Sequence, residues 1–219
     1  MSLRTSRFAA LCAAAPLLMS LGGCNILAPL FFIVSGPETF EAEHKLDEQR
    51  PTVVFVDDPR SQIPRRALRL EILNAVQDAI LRKGLVDDLI EGQAAIRVAD
   101  SDTSAGQMSV TEVGRALEAD VVVWITIDRF IRPSPTGDTQ ASVTLRVRAV
   151  DAESNTLDYP TAPAGRSVTV TDTIRRGTVA NAAGARTAAE IDIAKKAGLA
   201  AAQLFYEHAV TVHAEDRGL

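Results

Sequence analysis

A few side chains in this chain could do chemistry. Asp57 and Asp58 stand together ahead of Pro59, and neighbouring carboxylates can hold a divalent cation or divide general acid and base roles. Arg146 and Arg148 are two apart, with Arg129 and Arg132 nearby in sequence. A row of guanidiniums offers forked donors to an anionic group, so these four form a candidate rim for an anionic partner such as peptidoglycan, lipopolysaccharide or an acidic protein. Most such arginines simply solubilise a sheet face, which is the commoner role for a row of this kind. The three histidines are His44, His208 and His213. His44 falls in a stretch read as a tether, and His208 and His213, five apart, have no carboxylates or Cys at ligand spacing, so solvated or helix-capping roles fit the latter two better than a metal centre. Cys12 and Cys24 are the two thiols, too few for a disulfide scaffold or a four-Cys zinc site. The chain contains no GxGxxG, Walker loop, HExxH, CxxC or GxSxG. The expectation is a protein that is not an enzyme and takes no metal or cofactor, with an enzyme built on Asp57 and Asp58 as a lesser alternative.

The elements around these residues narrow their roles. Thr52–Val56 is a β-branched and aromatic run that reads as a buried strand, ended by the two acids and Pro59. Arg65–Lys83 places Leu68, Ile72, Val76 and Ile80 at spacing four, backed by Leu73, Ala75 and Ala79. That stripe predicts a helix facing a core, with Gly84 as its stop. Leu85–Ile90 and Ala94–Ala99 are short apolar pieces, at least one of them a strand. Ser109 and Glu112 form a capping box for a short helix. Asp120–Ile131 is the strongest strand signal. Ala141–Ala149 alternates, with Val143, Leu145 and Val147 on one face and Thr144, Arg146 and Arg148 on the other, and Ser167–Thr173 alternates again. A Gly/Ala/Arg connector, Arg175–Arg186, leads to a second capping box at Thr187 and Glu190. The helix after it is expected to run to about His208, its small residues closely approaching the sheet. The order predicts an α/β (α+β) single domain: a mixed sheet of about four or five strands with two long helices and one short one.

FVDDP, after a strand and before a helix, resembles the acidic pair with which response-regulator receiver domains bind Mg²⁺. That family also needs a phosphoacceptor Asp ending a central strand and a Lys ending a later one. Asp100 is the nearest acceptor, and Lys83, Lys195 and Lys196 all fall on predicted helices. A turn before Pro59 that favours the following helix N-terminus is the better reading.

The amino terminus has the three-part layout of an export signal. Arg4 and Arg7 precede an apolar stretch, Phe8–Leu21, and small residues follow. Leu21, Gly22, Gly23 and Cys24 resemble the lipobox of bacterial lipoproteins. That resemblance implies cleavage before Cys24, a diacylglyceryl group such as one carrying palmitate on its thiol, and acylation of the new amino group. An uncleaved anchor helix is the alternative, weakened by Pro16, Gly22, Gly23 and Pro29. The expected domain boundaries are 1–23 signal peptide, 24–51 lipidated apolar segment and polar tether, 52–213 α/β domain, and 214–219 tail. Ile26–Val34 is apolar but too short to span a bilayer.

Charge agrees with an acyl anchor. The 219 residues carry a net charge of −5, and removal of Arg4 and Arg7 leaves about −7, so no cationic excess draws the body to anionic lipid or to nucleic acid. Acyl chains would supply the attachment to the bilayer. The lipoprotein resemblance further implies that Asn25 after the Cys, where an Asp would imply retention at the inner membrane, favours the outer membrane over the inner one, with the body facing the periplasm.

The run TVVFVDD into a long helix, a small helix entering EADVVVWITIDRF, ASVTLRVRAVDAESNTL and a terminal Ala-rich helix resemble a class of envelope lipoprotein domains. These are the α/β domains of the curli-secretion lipoprotein and of the activators of penicillin-binding proteins, and the amino-terminal domain of the Tol-system propeller protein. The resemblance implies a lipid-anchored scaffold or binding module that helps assemble or regulate an envelope complex, with an envelope protein as partner. The alternative it carries is an oligomeric part of an outer-membrane secretion or transport system, with homo-oligomers of this chain.

Overall fold

The computed structural model describes residues 39–101, 108–132, 140–173 and 183–209. Among them are eight strands: Thr39–Phe40 (β1), Thr52–Asp57 (β2), Leu89–Ile90 (β3), Val121–Ile131 (β4), Gln140–Asp151 (β5), Leu157–Tyr159 (β6), Arg166–Thr173 (β7) and His208–Ala209 (β8). The helices are Arg66–Lys83 (α1), Gly92–Ser101 (α2), Val110–Ala116 (α3) and Ala183–Ala202 (α4), the last followed by a 3₁₀ turn at Gln203–Phe205. The chain divides into two compact units. In the smaller one, β1 pairs antiparallel with β8, and the Phe40 and His208 rings lie 5.7 Å apart.

The larger unit, Glu41–Glu207, holds a six-stranded sheet in the order β3-β2-β4-β5-β6, with β7 also on β5. The expected mixed sheet is therefore present: β2 runs parallel to β3 and β4, whereas β5 is antiparallel to β4, β6 and β7. β2 is buried along its whole length, as its unbroken β-branched run requires. β5 alternates as its sequence does, with Ala141, Val143, Leu145, Val147 and Ala149 fully buried. That face meets α1 and α4. α1 buries the predicted Leu68, Ile72, Val76 and Ile80, and Gly84 closes it in the left-handed region at φ 58°.

The small residues of α4 serve a helix crossing as well as the sheet. A Cβ on Gly198 would lie 2.5 Å from the Ile72 carbonyl oxygen and 2.8 Å from the Ala75 methyl, so α1 and α4 touch backbone to backbone there. α3 begins at the predicted capping box: Ser109 Oγ accepts from the Glu112 N–H at 3.3 Å, and Glu112 Oε2 accepts from the Ser109 N–H at 2.7 Å. Gly114 of this helix abuts Val122 and Ala152 on the sheet's other face.

Of the two short apolar pieces, Leu85–Ile90 supplies the expected strand as the two-residue β3, and Ala94–Ala99 lies in helix α2. Two expectations change. α4 begins at Ala183, before Thr187, and ends at Ala202, so Thr187 and Glu190 are helix-interior residues and His208 belongs to β8. The stretch expected as a tether is folded from Glu41 onward. Leu46 is buried, the Glu48 carbonyl accepts from the Asp87 N–H at 2.8 Å, and Arg50 Nη2 reaches Asp151 Oδ2 at 2.5 Å. Asp100 lies in helix α2, paired with Arg66 and Arg69, and not at a strand end, in keeping with the turn reading of Asp57 and Asp58 over the receiver-domain one. The signal segment, the lipobox at Leu21–Cys24, Ile26–Val34 and His213 lie outside the described residues.

Candidate anion-binding cleft on the open sheet face

Register decides which side chains meet. Phe55, Trp124 and Arg148 lie side by side across β2, β4 and β5, and Asp57, Thr126 and Arg146 form the next row. Paired residues on adjacent strands share a face, so both rows occupy the face opposite α1 and α4. On β4 and β5 this face is only half buried, because α3 covers it at the Val122 end alone.

Each cleft residue is held by a local device. Asp128 has no partner on β5, because the register shifts between Ile127 and Arg129. The extra residue is a β-bulge, and Arg146 Nε and Nη2 donate to Asp128 Oδ2 at 2.9 and 2.6 Å. The Arg148 guanidinium lies 4.6 Å from the Trp124 ring centre and donates to the Ala164 carbonyl at 3.1 Å. Gly165, at φ 83°, carries the β6–β7 turn across both arginine stems; a Cβ there would lie 2.7 Å from Arg146 Cγ. On the other side, the Asp58 carboxylate accepts from the N–H groups of Gln62 and Ile63 at 2.7 and 3.0 Å. That is the turn role read for Asp58 in the sequence, and it sets Pro59 and Arg60 at the rim. The resulting cavity has a volume of about 210 Å³, lined by Arg60, Trp124, Thr126, Asp128, Arg146 and Arg148.

The cleft is rich in donors. Trp124 Nε1 and Thr126 Oγ1 are buried without a hydrogen-bond partner. Trp124 interacts favourably with the Asp57 carboxylate. Asp57 is only 8 % exposed, and burial pushes its pKa above the ordinary value; Arg69, the Asp58 N–H and Trp124 offset this in part. Burial, and next the Arg146 charge, push Arg148 down, with Asp128 opposing. Arg148 makes no salt bridge among the described residues, yet a guanidinium keeps its proton. A half-buried cation without a salt bridge, near the unpartnered Thr126 hydroxyl, suits an acceptor-rich anion.

The four predicted arginines do not form one rim. Arg146 and Arg148 meet as expected, and Arg129 is exposed opposite Thr144 on the same face. Arg132 does not join them: its Nε donates to Glu190 of α4 at 2.9 Å, and Arg65 binds the same buried carboxylate at 2.6 Å. The bulge is the cause, since one extra residue inverts which side chains face the helices. Sequence reading missed Arg60, Trp124, Thr126 and Asp128; the alternation of Trp124, Thr126 and Asp128 along β4 was the available signal.

A roomier hollow of about 470 Å³ lies elsewhere, with Glu41, Glu48, Glu207 and Lys45 around Leu46 and Phe205. It brings together no orphaned donors and no guanidinium, so volume alone is a poor guide here. His44, expected in a tether, stacks on Tyr159 at 5.2 Å and sits edge-on to Phe205; burial lowers its pKa, with Asp158 opposing. No group of three His, Cys, Asp or Glu suited to a metal occurs among the described residues, and no helix among them is long and apolar enough to cross a membrane.

No protein-family model matches the chain, and no curated protein matches it. Among solved structures, the chain is similar to the PelC dodecamer from Paraburkholderia phytofirmans, at 12 % identity over 78 % of this chain and 97 % of that one, with a TM-score of 0.45. It is also similar to lipoprotein GNA1162 from Neisseria meningitidis, at 9 % identity over 67 % and 96 %, TM-score 0.42. A third is protein XCC0632 from Xanthomonas campestris, at 11 % over 74 % and 85 %, TM-score 0.42.

Proposed function

We propose that this chain is a non-catalytic lipoprotein of the bacterial cell envelope, anchored through acylated Cys24 and facing the periplasm. Its open sheet face holds an anionic group of an envelope partner. The observation that carries this reading is Arg148, half-buried over Trp124, without a salt bridge among the described residues, and near the unpartnered Thr126 hydroxyl in a formed cleft. The lipobox supplies the address, with Asn25 favouring the outer membrane, and confinement at a membrane raises the effective concentration for a partner there. Chemistry on the substrate is not required of such a module: its work is to hold one partner beside another.

Crosslinking in intact cells tests the reading. The full-length chain is expected to capture a discrete partner, and Arg146→Ser with Arg148→Ser is expected to lose it; Arg148→Ser alone, which breaks no salt bridge among the described residues, is expected to weaken capture while the melting temperature stays within a few degrees, about the effect of surface substitutions. Undiminished capture by the double variant would overturn the cleft's role. Mass spectrometry of the first mature peptide is expected to find acyl chains on Cys24; a free thiol there would remove the anchor.

A further inference from the structure

The two sides of the six-stranded sheet are finished differently. On one side β3 is only two residues long, but the rest of the β2 edge is occupied. Gly92 of α2 sits against the Val54 carbonyl, and Arg69 Nε donates to the Val56 carbonyl at 2.6 Å. On the other side β7 pairs with β5 through all eight residues without a register shift, and nothing among the described residues pairs with its outer edge. Strand edges left free are usually blunted with charge, Pro or a bulge. Arg166–Thr173 has no Pro and no bulge, and its two charges, Arg166 and Asp172, are opposite in sign and each neutralised within the copy by Glu43 and Lys196.

We propose that β7 is a self-pairing edge: two copies of this chain join β7 to β7, antiparallel, about a two-fold axis through Thr169. The sequence RSVTVTDT is complementary to itself in that register. Thr169 faces Thr169, Val168 faces Val170, Ser167 faces Thr171, and Arg166 faces Asp172. Such opposite-charge, β-branched and hydroxyl pairs are those that stabilise antiparallel neighbours. A two-fold axis perpendicular to the sheet keeps like faces on one side, so existing side-chain pairs extend across the join. Within one copy Arg166 Nη2 binds Glu43 at 2.7 Å and Lys196 Nζ binds Asp172 at 2.7 Å. Across the axis these become a line of alternating charge: Glu43, Arg166, then Asp172 and Lys196 of the second copy. On the opposite face the Thr144–Thr169 hydroxyl contact of 3.1 Å is repeated on both sides of the axis. A slip of one residue would set Val168 against Thr169 and put the faces out of phase, so the register is specified. This inference is independent of the cleft and of the anchor.

Cysteine mapping tests it in the full-length chain, in membranes of producing cells, with the wild-type chain as baseline for its own two thiols. Residues directly opposite in an antiparallel pair fall within disulfide range. Thr169→Cys is expected to oxidise to a covalent dimer in most molecules. Ser167→Cys alone is expected to stay at baseline, and Ser167→Cys co-produced with Thr171→Cys to crosslink. Sedimentation of the detergent-purified wild-type chain is expected to give the mass of two copies. Thr169→Cys remaining at baseline, Ser167→Cys crosslinking as readily as Thr169→Cys, or a monomeric mass would each overturn the proposal.

Discussion

Asp57 is destabilising in its charged form, which is unusual for a residue of a buried strand end. Its pKa is raised, chiefly by burial, so the folded chain binds more protons than the unfolded one in the range just above the ordinary carboxylate pKa. Stability attributable to this group therefore falls as pH rises through that window and is fully lost above it. Asp57→Asn keeps an acceptor for the Asp58 N–H and removes the desolvated charge. The variant is expected to melt about 2–4 °C higher at pH 7, the effect of ~1 kcal/mol in a chain of this size, with the gain fading below about pH 4. Calorimetry at the two pH values decides it. A lower melting temperature at pH 7 would mean that the Arg69 attraction outweighs burial, and that the acid is structural. The pair that looked like one acidic motif is thus two residues with opposite logic: Asp58 ties a loop together through two N–H groups, and Asp57 is strained by its surroundings.

Elements were legible where one local signal was enough. The spacing of Leu68, Ile72, Val76 and Ile80 defined α1 because an amphipathic stripe has a single way to be buried. The Ser109–Glu112 box defined the start of α3, and the alternation of β5 defined its two faces. The same box pattern at Thr187 and Glu190 misled, because Arg65 and Arg132 claim that carboxylate from distant positions, and no window along α4 contains them. The bulge at Asp128 was equally hidden: an inserted residue in a strand leaves the composition unchanged and is visible only in the pairing. Helix crossings are tertiary in the same way. Ala has a helix propensity about 1 kcal/mol better than Gly, so sequence alone expects Gly198→Ala to stabilise α4. The structure reverses the sign, since the added methyl would press on the Ile72 backbone at 2.5 Å and overpacking costs about 1–3 kcal/mol. Gly184, in the same helix with nothing within 4 Å of its missing Cβ, provides the comparison. Thermal melts are expected to place Gly198→Ala below the wild-type chain and Gly184→Ala at or above it. The reverse order would mean that α1 and α4 cross less closely.

At the scale of the whole molecule, the segment just before β2 decides where the folded body starts. Polar composition and two prolines made residues 35–51 read as a linker, because its two large apolar residues, Phe40 and Leu46, are each isolated among polar and charged neighbours. Its partners are far away in sequence. Glu43 accepts from Tyr159 Oη at 2.7 Å and binds Arg166, His44 lies against Tyr159 and Phe205, and Arg50 binds Asp151 and Asp158. The Arg50 contact is one of the weaker reasons that Asp151 is held down to about 2; the Ser154 N–H and hydroxyl are the larger ones. The strap thus belongs to the body, which shortens any free linker to Cys24 by about ten residues, or roughly 35 Å of fully extended chain. A chain truncated to begin at Thr52 would expose the surface that Leu46 covers, a loss of about 1.5–3 kcal/mol for one buried aliphatic side chain, and would leave Asp151 without Arg50. It is expected to melt at least about 5 °C below a chain beginning at Thr39, which keeps the strap. The deficit is expected to exceed that of Leu46→Ala alone, because the ion pairs go as well. Equal melting of the two truncated chains would return residues 41–51 to the role of a tether.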